Sequence, residues 1–273
     1  MIDQTMKIKT VAIKDNKQVN NVTIVILTKN EEKRIADTIR NALSCSQNVL
    51  IVDAESMDKT VSIAKQLGAK VVIRAWTNDF AAQRNFALKF VKTDWVLYLD
   101  ADEMMDETLI QHVQQVVREN KQEKIYRIKR KAIICGQACN HGAMRPDYVA
   151  RLFPTKAVTW VNPVHEHPET KDLEVGILAG HINHYTYDSW EQYWKKFNQY
   201  TTIWADEAYR RGKKTNLGKA FVHATFGYLK VTIIDRGFLD GWLGLAMCAN
   251  HFSYTLVKYM KLQDRYRQEK VRD

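Results

Sequence analysis

The chain has 273 residues, 45% of them hydrophobic, with only 11 glycines and 4 prolines. That excludes a fibrous or low-complexity chain and leaves room for one sizeable α/β domain plus a smaller attachment. The formal net charge of +10 concerns partners rather than fold, and it admits nucleic acid, an anionic membrane surface or a phosphate-rich substrate.

Met1–Asn20 is polar and charged. It reads as an N-terminal extension without the apolar core of a secretory signal. From Val22 strand and helix signals alternate. Val22–Thr28 is a continuous apolar run, as a strand buried on both faces requires. Ile35, Ala36, Ile39, Ala42 and Leu43 then repeat at helical spacing. Val49–Val52 is a short second strand ending at Asp53. Asp58 is placed to cap a helix striped by Val61, Ala64 and Leu67, with Gly68 at its C-terminal end. Val71–Ile73 predicts a third strand, Phe80–Val91 a third helix and Trp95–Leu99 a fourth strand ending at Asp100. Such alternation implies a mostly parallel, Rossmann-like sheet wrapped by helices.

After a helix over Leu109–Glu119, Ile125–Ile134 and Tyr148–Phe153 read as β segments. Val158–His167 and Gly176–His184 look irregular and histidine-rich. A boundary falls near Tyr185, dividing a domain over 21–185 from a helical region over 186–273. Ser189–Gly212 is one amphipathic helix, opened by a Ser189/Gln192 capping box. Leu217–Leu262 is apolar, aromatic and basic. No run reaches the roughly 18 apolar residues of a membrane span. Cys45, Cys135, Cys139 and Cys248 lack zinc spacing and read as reduced thiols of a cytosolic protein.

In parallel sheets ligands bind beyond the carboxyl ends of the strands. Those ends carry Thr28–Asn30, Asp53, Arg74 and Asp100–Asp102. The strongest feature is WVLYLDADE, Trp95–Glu103, where a buried strand delivers Asp100 and Asp102 onto a turn. Two hard oxygen ligands there suit Mg²⁺ or Mn²⁺ carrying a diphosphate; a simple acidic turn is the alternative. Asp53 is placed to accept hydrogen bonds from a base or ribose, or is a loop acid. Thr28 and Asn30 either meet the base or cap the first helix.

Four segments in order, Thr28-Lys29-Asn30-Glu31-Glu32, Asp53–Thr60, Phe80–Asn85 and Leu99–Glu103, resemble the family 2 glycosyltransferases with a GT-A fold. Within them the chain is similar to the branch of lipopolysaccharide-core β-glucosyltransferases, from about Val22 to Leu262. The resemblance implies a UDP-sugar donor, a divalent cation and inversion at the anomeric carbon. It puts Thr28, Asn30, Glu31, Asp53 and Arg84 among the donor contacts and Asp100 and Asp102 at the diphosphate–metal site. It also gives the general base as Glu166, in Asn162-Pro163-Val164-His165-Glu166; Glu103 is the rival. His184 is a candidate third metal ligand, whereas His165, His167 and His181 show no zinc spacing. Arg145 and Arg151 either hold an anion or form internal salt bridges.

Aromatic and apolar groups from Phe221 to Leu243, interleaved with Lys219, Lys230 and Arg236, fit an anionic membrane interface, a contact between copies of the chain, or packing on the core. The expected reaction is transfer of a hexose to a hydroxyl of a glycolipid or oligosaccharide by an enzyme peripheral to the inner face of the cytoplasmic membrane. A sugar nucleotidyltransferase is one alternative, but LTKNEEKR lacks its glycine-rich loop. A basic nucleic-acid-binding protein is another, but no recognition motif supports it and no nucleic-acid partner is expected.

Overall fold

The computed structural model describes residues 19–162, 166–170 and 173–272, the last three by backbone only. The expected extension over 1–20 therefore lies outside the described residues up to residue 18, as do Pro163, Val164 and His165.

The first half follows the alternating pattern: β1 (Val19–Thr28), α1 (Ile35–Cys45), β2 (Ser46–Asp53), α2 (Thr60–Gln66), β3 (Lys70–Ile73), α3 (Phe80–Leu88) and β4 (Trp95–Asp100). These strands lie parallel in the order β3-β2-β1-β4. Strand periodicity sends Val22, Ile24 and Ile26 into one core, with α1 and α4 (Glu107–Glu119), and Val25 into another, beneath α3. Each fully buried aliphatic side chain of this kind contributes ~1.5–3 kcal/mol. Asp58 accepts a hydrogen bond from the Thr60 amide at the start of α2, and Gly68 follows the helix with φ +82°.

Beyond β4 the sheet becomes mixed. β5 (Glu103–Met105), β6 (Lys124–Ile134), the short β7 (Gln137–Ala138) and β8 (Asp147–Pro154) follow. β8 runs antiparallel to both β4 and β6. The described residues of the two segments expected to be irregular include strand. Val158–His167 contributes to the hairpin β9 (Val158–Val161) and β10 (His167–Thr170). Gly176–His184 lies within the 14-residue β11 (Glu174–Tyr187), parallel to β6 and antiparallel to β5. Pairing on both sides imposes the strand on a segment whose glycines hide its alternation.

Three long helices complete the chain: α5 (Trp190–Arg210), α6 (Leu217–Leu229) and α7 (Gly241–Arg272). Of the expected Ser189/Gln192 box the Ser189 half forms, with Gln192 N donating to Ser189 Oγ, while the Gln192 side-chain oxygen accepts from Asp188 N rather than from Ser189 N. A π turn, Lys230–Ile234, and a 3₁₀ turn, Gly237–Asp240, join α6 to α7. Gly237 and Gly244 are needed there, because a Cβ on Gly244 would stand 2.0 Å from the Gly237 carbonyl oxygen.

Candidate functional site

Parallel register sets the height of the site. Thr28 pairs with Asp53, and Leu27 with Asp100, so the ends of β1, β2 and β4 open onto one edge. A cleft of about 580 Å³ lies there, lined by Thr28, Lys29, Glu31, Arg84, Asp100, Asp102, Glu166 and His184, among others. Seven of the ten residues singled out in the sequence as donor, metal or base candidates line this cleft; Asn30, Asp53 and Glu103 do not.

Asp53 is 1% exposed, and its carboxylate accepts hydrogen bonds from Thr28 Oγ1 (2.9 Å), Ser56 N (2.8 Å) and Ser56 Oγ (2.6 Å). Asn30, at φ +55°, accepts from Met57 N at 2.8 Å. Neither Thr28 nor Asn30 caps α1, whose N-terminus has no side-chain cap. Both instead tie the loop after β1 to the loop after β2. Glu31 N donates to Thr60 Oγ1, leaving its carboxyl at the cleft, where burial and the nearby Asp102 raise its pKa.

Asp100 and Asp102 have different surroundings. Asp100 accepts from Arg151 (2.8 Å) and faces Arg84 (3.3 Å). Burial opposes its ionisation, but those two guanidiniums outweigh burial and hold the carboxyl below its usual range. Asp102 lies 3.3 Å from His184 Nε2 and 4.0 Å from Arg34. Arg34 is itself held by Asp188 and by the Tyr185 carbonyl. Among the described residues no three His, Cys, Asp or Glu side chains form a closed metal cage. Asp102 and His184 form an open pair instead, one oxygen and one nitrogen donor, which suits a cation that keeps positions for diphosphate oxygens.

Glu103 is 0% exposed, bound by Arg151 at 2.6 Å and approached by Arg130 at 3.5 Å; it also accepts from Asp100 N. Burial pushes its pKa up. It does not line the cleft, and its surroundings remove it as rival base. Arg151 is an internal bridge, and Arg145 pairs with Asp235 at 3.0 Å. His181 pairs with Asp106, and His167 sits on β10.

Glu166 faces the cleft with one carboxylate oxygen 3.6 Å from Arg84 Nη2. β9, which precedes it in the chain, is tied to α3, because Asn85 donates to and accepts from the backbone of Trp160. Arg84 is 3% exposed and packs against Trp160 and Tyr98, 4.7 and 5.3 Å from the ring centroids. Its Nε and Nη1 are buried without a hydrogen-bond partner. Such orphaned donors at a cleft wall call for an anionic acceptor.

Sequence reasoning missed Trp76 and Phe80 at the mouth, 4.6 Å apart edge to face, and Lys196 and Tyr200 on α5. The last two, spaced i, i+4, read as part of a basic cluster and an apolar stripe. Only the return of α5 across the sheet edge makes them cleft residues.

The glycosyl transferase family 2 pattern matches residues 23–133. A Rickettsia typhi glycosyltransferase is 30% identical over 234 residues, covering 82% of this chain and 80% of that one. A Rickettsia prowazekii glycosyltransferase is 28% identical over 258 residues, covering 89% and 87%. Among solved structures, glucosyl-3-phosphoglycerate synthase from Mycobacterium tuberculosis, in complex with Mn²⁺, UDP-glucose and phosphoglyceric acid, is 17% identical with a TM-score of 0.35. That match covers 42% of this chain and 44% of the synthase, less than half the length of either.

Proposed function

We propose, from the premise that this chain belongs to glycosyl transferase family 2 and has a GT-A-like fold of mixed sheet flanked by helices, that it moves a hexose, glucose foremost, from a UDP-sugar to a hydroxyl of a glycolipid acceptor. Residues 21–185 are the donor-binding catalytic domain in this reading, and 186–273 the helical region that meets the acceptor and an anionic membrane surface. The acceptor belongs to lipopolysaccharide core or a related cell-surface polysaccharide, built on the inner face of the cytoplasmic membrane.

The observation that carries the proposal is the convergence of Asp102, His184, Arg84 and Glu166 on one cleft. Thr28, Asn30, Glu31 and Asp53 organise the β1 and β2 ends, where the nucleoside sits. Arg84, with two unpaired buried nitrogens, and Lys29 and Lys196 offset the charge of the diphosphate. Mg²⁺ or Mn²⁺ held by Asp102 and His184, with Asp100 alongside, would supply Lewis-acid stabilisation of the departing diphosphate. Glu166 takes the proton of the acceptor hydroxyl as that oxygen bonds to the anomeric carbon. The bond from that carbon to the diphosphate oxygen breaks, and UDP leaves with the electron pair. Attack opposite the leaving group inverts the centre.

Glu166→Gln should retain UDP-glucose binding by calorimetry while the transfer rate falls by about 10²–10⁴. Asp102→Ala should lose both donor binding and the stimulation by Mn²⁺ that a chelator reverses. Full transfer by Glu166→Gln would remove the base, and indifference to chelator and to Asp102→Ala would remove the metal role.

A further inference from the structure

A second chamber lies between α5 and α7, with a volume of about 200 Å³. It adjoins the cleft, since Tyr187 and Tyr200 line both. Its size is below the roughly 300–1,000 Å³ of pockets for drug-sized ligands, so it suits one small ring rather than a nucleotide. Phe197 and Tyr254, 5.5 Å apart edge to face, supply aromatic wall. Such faces pack against the C–H face of a sugar while its hydroxyls find polar rims.

The chamber also holds charge. Lys258 is half-buried, with its ammonium over the rings of Trp204, Tyr254 and Tyr259 at 4.8, 5.5 and 5.8 Å. Burial, and the Lys213 ammonium next, lower its pKa, and among the described residues no carboxylate acts on it. His251 stands beside it, its own pKa lowered by burial. A desolvated cation held only by ring faces is short of a counter-ion.

We propose that this chamber is an acceptor subsite for one acidic sugar residue, its ring against Tyr254 and Phe197 and its carboxylate or phosphate on Lys258. The proposal rests on the sugar-transfer reading above and deepens it, because the chamber adjoins the cleft at Tyr187 and Tyr200. The residue it holds neighbours the attacking hydroxyl and selects the acceptor by charge.

The test is saturation-transfer NMR on the full chain with UDP and Mn²⁺, using methyl glucuronide, glucose 6-phosphate and methyl glucoside as probes. An acidic sugar should bind about tenfold more tightly than the neutral glucoside, the value of one charge-assisted contact. The carboxylate and phosphate probes tell which anion is preferred. Lys258→Met should abolish the preference, Lys258→Arg should restore it, and UDP affinity should stay unchanged in both. Equal binding of all three probes, binding of none, or a preference that survives Lys258→Met overturns the subsite. Failure of the wild-type chain to bind UDP overturns the donor reading instead, and is read separately.

Discussion

Replacing Arg151 with methionine leaves Glu103 fully buried with only Arg130, 3.5 Å away, to offset its charge. Breaking a buried pair on one side costs about 3–5 kcal/mol. Arg151→Met should therefore lower unfolding stability by about 3 kcal/mol in urea titrations, and Glu103→Gln added to it should recover part of the loss. Full stability in the single variant would show that Arg130 suffices. The same residues show what a sequence can reveal about a site. Asp100 and Asp102 stand out because both lie at the end of one apolar strand, a local fact. Arg151 clamps Asp100 from 51 positions away, and Glu166 meets Arg84 across the cleft. Sheet topology sets those distances, and hydrophobic periodicity does not encode them. The arginine therefore read equally well as an anion binder or an internal bridge.

Among the elements, β11 is the clearest case of tertiary pairing overriding local pattern. Gly180 takes φ +89° between two stretches of β6 pairing, where the register shifts. A Cβ there would stand 2.3 Å from Leu109 N, in the first turn of α4. At this close approach Asp106 caps α4 through Leu109 N and accepts from His181 N, both at 2.9 Å. Gly180→Ala combines a left-handed backbone conformation with a backbone collision. It should cost at least the ~1–3 kcal/mol of a strained residue, read as a lower denaturation midpoint with an unchanged slope. A neutral result would mean that α4 rides on β11 more loosely than these contacts imply. The first four strands were legible because each is a run of apolar residues bounded by turn chemistry. β9, β10 and β11 were not, because β9 and β10 are only four residues each and β11 is interrupted by Gly176 and Gly180. Their strand character comes from partners that lie far away in sequence.

At the scale of the whole molecule, the proposed membrane contact draws on the net charge of +10 and on apolar side chains left exposed. Phe226 and Trp242 are each 67% exposed, and Leu217, Phe221, Val222, Ile233, Ile234, Phe238 and Leu239 are exposed in the same α6–α7 region. Lys219, Lys230 and Arg236 are exposed among them. No helix among the described residues is long and apolar enough to cross a membrane; in the reading proposed above this face lies in the membrane interface. Each large apolar side chain taken out of water contributes ~1.5–3 kcal/mol, and each nearby cation adds about 1 kcal/mol at an anionic surface. Flotation with phosphatidylglycerol vesicles should therefore carry the protein upward at low salt and less so at high salt, with little flotation on phosphatidylcholine alone. The double variant Phe226→Ser/Trp242→Ser should lose at least about tenfold in vesicle affinity and keep its UDP binding, since neither residue lines the cleft. Indifference to lipid charge would leave only the apolar contribution. If the wild-type chain instead sediments as a dimer that ignores vesicles, and the double variant as a monomer, a second copy covers the face and the membrane assignment falls.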